Sequence, residues 1–283
     1  MIGADMSNHK PCIGVFDSGV GGLTVLKALL EVIPGADYLY FGDTARLPYG
    51  SKSAETVTKY AVGACEYLHS HGTDLLVIAC NTATALALPK IERVVGVGVV
   101  GVIEPGAQSA SGASQNRKVV VIGTDATISS HAYLRALKSR GVEAREKACP
   151  LLVPLVEEGW IAHPVTEQVA RIYLDEAFAG EFESADVLVL GCTHYPLLKP
   201  ILRRMAPAQV KIVDSAESTA RAVAQQIRLG PKLSGAESVN EERGRGSSHI
   251  RFFATDSVQK FRSLGERFLG RKIEDVQHVD LKE

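Results

Sequence analysis

Apolar residues recur along the chain in two alternating arrangements. Short β-branched runs, apolar throughout, predict strands over 12–16, 38–41, 75–79, 97–102, 119–122, 187–190, 210–213 and 250–253. Longer stretches with one apolar face predict helices over 23–33, 54–71, 129–139, 166–178, 197–205 and 218–228. A strand that is apolar on both faces has to be covered on both, as it is in a parallel sheet with crossover helices. The pattern therefore predicts an α/β fold, with a functional site beyond the carboxyl ends of the strands. Residues 231–248, PKLSGAESVNEERGRGSS, interrupt it with Gly, Ser and charge. That composition predicts a polar loop or linker. A strand–helix unit over 250–269 follows.

Two strand ends look alike. LLVIAC-NTAT (75–84) and VLVLGC-THYP (187–196) each run four apolar residues, one small residue and a cysteine into polar residues. Upstream, IGVFDSGVGGL (13–23) resembles VVVIGTDATI (119–128) at nearly the same offset. One reading is an internal duplication, two facing half-molecules with pseudo-twofold similarity and one cysteine each at a shared cleft. The other is that any two strand–helix units look alike.

Composition narrows the function classes. The 283 residues are 46% hydrophobic and 22% charged, which suits one large or two modest globular domains. The net charge of −1 gives no bias toward nucleic acid. The longest apolar run, 94–103, contains three glycines and falls short of the roughly twenty residues a membrane span needs. No membrane partner is expected. MIGADMSNHKP lacks the apolar core of a signal peptide, so a cytoplasmic location is expected. Five cysteines (Cys12, Cys65, Cys80, Cys149, Cys192), with no CxxC pair, fit reduced thiols rather than a disulfide framework.

Most such cysteines are small buried hydrophobes. Cys80 and Cys192 differ, because each ends a strand just before an expected helix start. There the helix dipole favours the thiolate. Asp17 and Ser18 precede glycines whose backbone N–H groups can face an anion; Asp17 can also be a simple turn or cap carboxylate. GVGGL is neither a full dinucleotide fingerprint nor a P-loop, though the DSGVGG loop leaves a phosphate- or nucleotide-binding module open. His194 can tune Cys192 or carry its proton. With Cys192 it can also form half of a metal site, but no second pair at metal spacing accompanies it. Asn81, Thr82 and Thr193 offer hydrogen bonds to a carboxylate or serve as caps, and Pro48–Tyr49–Gly50 reads as a turn.

GVFDSGVGGLTVL, YFGDTARLPYGSKS, VIACNTATA, GVIEPG, VIGTDATISSHAY, LVPLVEEGW and LGCTHYPLLKP occur in this order over residues 13–219. Together they resemble the glutamate racemases of the aspartate/glutamate racemase superfamily. The resemblance implies two α/β domains facing each other across the active-site cleft: 1–103 with 219–283, carrying Asp17 and Cys80, and 104–218, carrying Cys192 and His194. It implies interconversion of L- and D-glutamate without pyridoxal phosphate or metal, a homodimer, and D-glutamate supplied to peptidoglycan. Cys80 and Cys192 then act as the two bases, with Asp17, His194 and Glu157 assisting. Ser18, Tyr49, Gly50, Asn81, Thr82, Thr124 and Thr193, together with Asp17 and His194, match substrate-binding positions. The 231–248 insert departs from the family pattern. Within the superfamily, an aspartate racemase or a one-cysteine decarboxylase is the nearest alternative; having both cysteines argues against the decarboxylase.

Overall fold

In the computed structural model, residues 10–229 and 248–281 are described. The predicted polar loop lies outside them, apart from Ser248. The strands are β1 (Cys12–Asp17), β2 (Asp37–Gly42), β3 (Leu75–Ile78), β4 (Gly98–Gly101), β5 (Lys118–Gly123), β6 (Glu143–Ala148), β7 (Val187–Gly191), β8 (Lys211–Asp214), β9 (Ile250–Ala254) and β10 (Val276–His278). The helices are α1 (Leu23–Val32), α2 (Ala54–Ser70), α3 (Asn81–Val94), α4 (Ile103–Ala113), α5 (Asp125–Ser129), α6 (Ala132–Lys138), α7 (Leu152–Glu157), α8 (Pro164–Ala177), α9 (Lys199–Met205), α10 (Ser215–Leu229) and α11 (Val258–Leu269).

Two sheets result, one ordered β10-β9-β2-β1-β3-β4 and the other β6-β5-β7-β8. Every strand pairing is parallel. The second sheet repeats the order β2-β1-β3-β4 of the first, strand for strand. In both, the chain leaves the first strand to one side for the second strand and to the other side for the third. A crevice for ligands opens at that reversal, beyond the carboxyl ends of β1 and β3 and of β5 and β7. The fold is thus a pair of parallel-sheet α/β units of like topology.

The run of apolar residues in each strand explains its burial on both faces. On one face of the first sheet, Val15, Tyr40 and Val77 pack with Leu26 of α1, Val223 of α10 and Phe261 of α11. On the other, Phe16, Phe41 and Ile78 pack with Leu68 of α2 and Ile91 of α3. The first core continues without a break into the second sheet through Ile122 and Leu190, where α7, α8 and α9 cover it. Val121 and Val189 face a third core with Ala110 of α4 and Leu137 of α6. Each fully buried aliphatic or aromatic side chain contributes roughly 1.5–3 kcal/mol by leaving water.

The elements that differ from the sequence reading have identifiable causes. β6 is EAREKA, a polar edge strand with no fully buried residue, so no apolar run announces it. β10 has only three residues. The helix expected over 129–139 breaks into α5 and α6, and His131 between them has a left-handed φ of 52°. No helix begins directly after Cys192: a tight 3₁₀ turn at Tyr195–Leu198 precedes α9.

Candidate active site

The carboxyl ends of β3 and β7 converge on one cleft of about 360 Å³. Ser18, Tyr49, Gly50, Cys80, Asn81, Thr82, Thr124, Glu157, Cys192, Thr193 and His194 all line it. Asp17 does not: it is fully buried behind the wall as the last residue of β1. Leu47, Pro48, Pro150, Val153 and Pro154 add an apolar side.

Cys80 is the N-cap of α3. Its sulfur accepts the N–H of Ala83 at 3.4 Å and donates to Ser18 Oγ at 3.6 Å. In the other half, Cys192 Sγ lies 4.0 Å from His194 Nδ1. The other ring nitrogen of His194 meets Glu157 Oε1 at 3.2 Å, and the ring edge packs on Phe268. Asp17 accepts the Gly19 N–H at 2.9 Å and, from the other half, the Thr193 hydroxyl at 3.5 Å.

The halves meet closely here. At Gly21 a Cβ would fall 2.3 Å from Thr193 Oγ1 and 2.6 Å from His194 Nδ1, so only glycine fits there. At Gly50 a Cβ would fall 2.7 Å from Thr124 Cβ. The hydroxyls of Thr82, Thr124 and Thr127 form a triangle with sides of 3.0, 3.0 and 2.9 Å, which ties α3 to the β5–α5 corner.

Two like-folded halves each offer a cysteine to one cleft, and comparison with known proteins identifies the family. The family model described as Asp/Glu/hydantoin racemase matches residues 13–223. The chain belongs to that family. It is 56% identical to the glutamate racemase of Koribacter versatilis over 98% of this chain and 99% of the relative. Among solved structures, a glutamate racemase from Francisella tularensis in complex with D-glutamate superposes with a TM-score of 0.85 at 33% identity, covering 96% of this chain and 98% of that one. A glutamate racemase from Thermus thermophilus in complex with β-chloro-D-alanine gives 0.83 at 43% identity, covering 96% and 98%. The chain is an amino-acid racemase.

The groups around the two thiols of this racemase differ. Burial pushes the Cys80 thiol up to about 12, and the nearby Asp17 charge adds to this; the Ala83 N–H and Ser18 only partly oppose it. The helix N-terminus was expected to favour thiolate, but desolvation outweighs it at Cys80. Burial also raises the Asp17 carboxyl, against the pull of His194. For His194, burial acts to lower the value. Cys192 and Glu157 on either side outweigh it and hold the imidazole at about 10. Glu157 is in turn lowered by its hydrogen bond to His194. Among the described residues, no group of three or more His, Cys, Asp or Glu is placed to hold a metal.

Sequence reading did not single out several residues that shape this racemase's cleft. Pro150, Val153 and Pro154 read as ordinary apolar positions. Tyr133 lies in the VIGTDATISSHAY stretch, but nothing in its spacing shows that its hydroxyl reaches Asn81 at 2.7 Å. Asp43 lies in the YFGDTARLPYGSKS stretch, but nothing in its spacing shows what it holds. It is buried, accepts from Tyr49, Arg46 and Thr255, and so fixes the turn that carries Tyr49 and Gly50.

Proposed function

We propose that the chain interconverts L- and D-glutamate by a two-thiol proton transfer at the α-carbon. The observation that carries this reading is the pair of cysteines, one from each half, that line a single cleft. A single base that keeps its proton tends to return it to the face it came from. Two groups avoid this: a thiolate on one face takes the α-proton, and a thiol on the other delivers its own. The C–H electron pair stays on the α-carbon and adjoining carboxylate as enolate, then captures the second proton. One cysteine ends protonated and the other ionised, the reverse of the starting state.

In the L-to-D direction Cys192 is the base, with the His194 imidazolium as its cationic partner and Glu157 holding that charge in place. Cys80, which burial keeps as a thiol, is the acid. In the D-to-L direction the roles exchange, and Asp17 assists Cys80. The α-proton beside a carboxylate is very weakly acidic, so developing enolate charge needs fixed donors. Ser18, Asn81, Thr82, Thr124 and Thr193, with the Tyr49–Gly50 turn, supply them around the substrate. The D-glutamate so made serves peptidoglycan synthesis. Support for glutamate comes from the relatives that share nearly the whole chain.

The test is incubation of the purified protein with L-glutamate in D₂O, followed by chiral chromatography and mass analysis. The expected result is equal L and D, with α-deuterium in the product while unreacted substrate is still protiated. Absence of D-glutamate overturns the activity. Early deuterium in recovered L-glutamate overturns the two-thiol step.

A further inference from the structure

Asn81 directly follows Cys80, lines the cleft and is buried. Its amide can present a donor or an acceptor to a bound molecule, and the two have opposite consequences for a carboxylate. The side chain has one partner in the protein. Tyr133, on α6 of the other half, donates its hydroxyl to Asn81 Oδ1 at 2.7 Å. Asn81 Nδ2 is buried with no hydrogen-bond partner among the described residues. Ser215 donates to the Tyr133 phenol oxygen, so the phenol's own proton goes to Asn81, and the bond fixes which end of the amide is which. Leaving a buried donor unmade is costly, and a ligand acceptor removes that cost.

Tyr133 is itself held rigidly. It is fully buried. Its ring lies where a Cβ on Gly191 would fall 3.1 Å from it, and a Cβ on Gly106 would fall 3.3 Å from its hydroxyl oxygen. Gly191 immediately precedes Cys192. The ring therefore braces the strand end that carries one thiol, while the hydroxyl reaches the residue beside the other.

We infer that Tyr133 is a positioning residue that aims the Asn81 amide N–H at a substrate carboxylate from across the two halves. This rests on the reading that the cleft binds an amino acid. Tyr133 touches no substrate, so its effect runs through Asn81 and falls on binding of both enantiomers alike.

The experiment is a double-mutant cycle with Tyr133→Phe and Asn81→Ala, reading KM and kcat for L- and D-glutamate beside the melting temperature. Losing one neutral hydrogen bond predicts that Tyr133→Phe raises KM about threefold to tenfold for both enantiomers and changes kcat less. In the Asn81→Ala background the same substitution has no further effect on KM. A loss of equal size in both backgrounds overturns the inference and leaves Tyr133 a purely structural residue. An Asn81→Ala variant with unchanged KM overturns instead the reading that this wall binds substrate. If Tyr133→Phe does not fold, Asn81→Asp is no substitute. It keeps an acceptor for Tyr133 but adds a buried charge, so the deciding readout is the Asn81 side-chain amide of the unaltered protein in nitrogen-15 NMR. Saturating D-glutamate is expected to shift its N–H resonances and slow their exchange with solvent, and resonances that do not move overturn the inference.

Discussion

Cys80 and Cys192 stand at corresponding strand ends in two halves of the same topology, yet their surroundings are opposites. Cys80 caps a helix, has a hydroxyl and a backbone N–H for company, and has a buried carboxylate of like charge nearby. Cys192 caps nothing and faces an imidazole whose pKa Cys192 itself and Glu157 raise to about 10. The shared scaffold fixes where the sulfurs sit. The residues that follow the strands fix their chemistry: β1 ends in Asp17 where β5 ends in Gly123, and Cys80 is followed by Asn-Thr where Cys192 is followed by Thr-His. The two strand ends therefore share a scaffold and differ in the groups around each sulfur.

The largest effect tests whether both halves are needed. Cys80→Ala and Cys192→Ala are each expected to lower turnover by about 10²–10⁴-fold or more while the protein still melts cooperatively. Near-normal turnover by either folded variant ends the two-carrier account. Next come the helpers, at about 10²-fold in kcat. His194→Asn slows the L-to-D direction, and Asp17→Asn the D-to-L direction, because each acts on the deprotonation step of its own thiol. The enantiomers have equal free energy, so kcat/KM must fall equally in both directions for any variant. The asymmetry is read in kcat and in the isotope effects with α-deuterated L- and D-glutamate. Identical changes for both enantiomers mean that the helpers are shared, and the Asp17–Thr193 bond across the halves makes this a sharp test.

Gly21→Ala probes the contact between the halves. The new methyl must displace Thr193 and His194, and a misplacement of about 1 Å in a proton-transfer geometry lowers kcat by up to about 10²-fold. Unchanged kcat would mean that His194 need not be held where it lies.

The smallest effect is in stability. His194 binds its proton more tightly folded, at about 10, than at its ordinary 6.5. The stability this contributes is complete below pH 6.5 and is lost as the pH rises to about 10. Glu157 is shifted the other way, so its share is lost in acid as it protonates. Glu157→Gln is therefore expected to melt a few degrees lower than the unaltered protein from about pH 5 to 6.5, with the gap closing towards pH 10. A gap independent of pH across that window would show that the pair is not ionic.

The sequence by itself determined the parallel α/β architecture, because strands apolar on both faces and helices apolar on one leave few other ways to bury that surface. It also determined the two cysteine-bearing strand ends, since an apolar run ending in a small residue, a cysteine and polar side chains is a local pattern. Tertiary structure decided the rest. The polar edge strand β6 exists because β5 offers it hydrogen bonds, which no periodicity in EAREKA announces. Asp17 follows its strand like a loop residue, yet the fold closes Gly19 and Thr193 over it and takes it off the cleft surface. The partners of the thiols, the Tyr133–Asn81 bond and the reversal of the expected thiolate at Cys80 all depend on distances between residues far apart in the chain. Hydrophobic periodicity is a local property of the chain, whereas desolvation and charge proximity act through space and take their values only once the two halves have closed on each other.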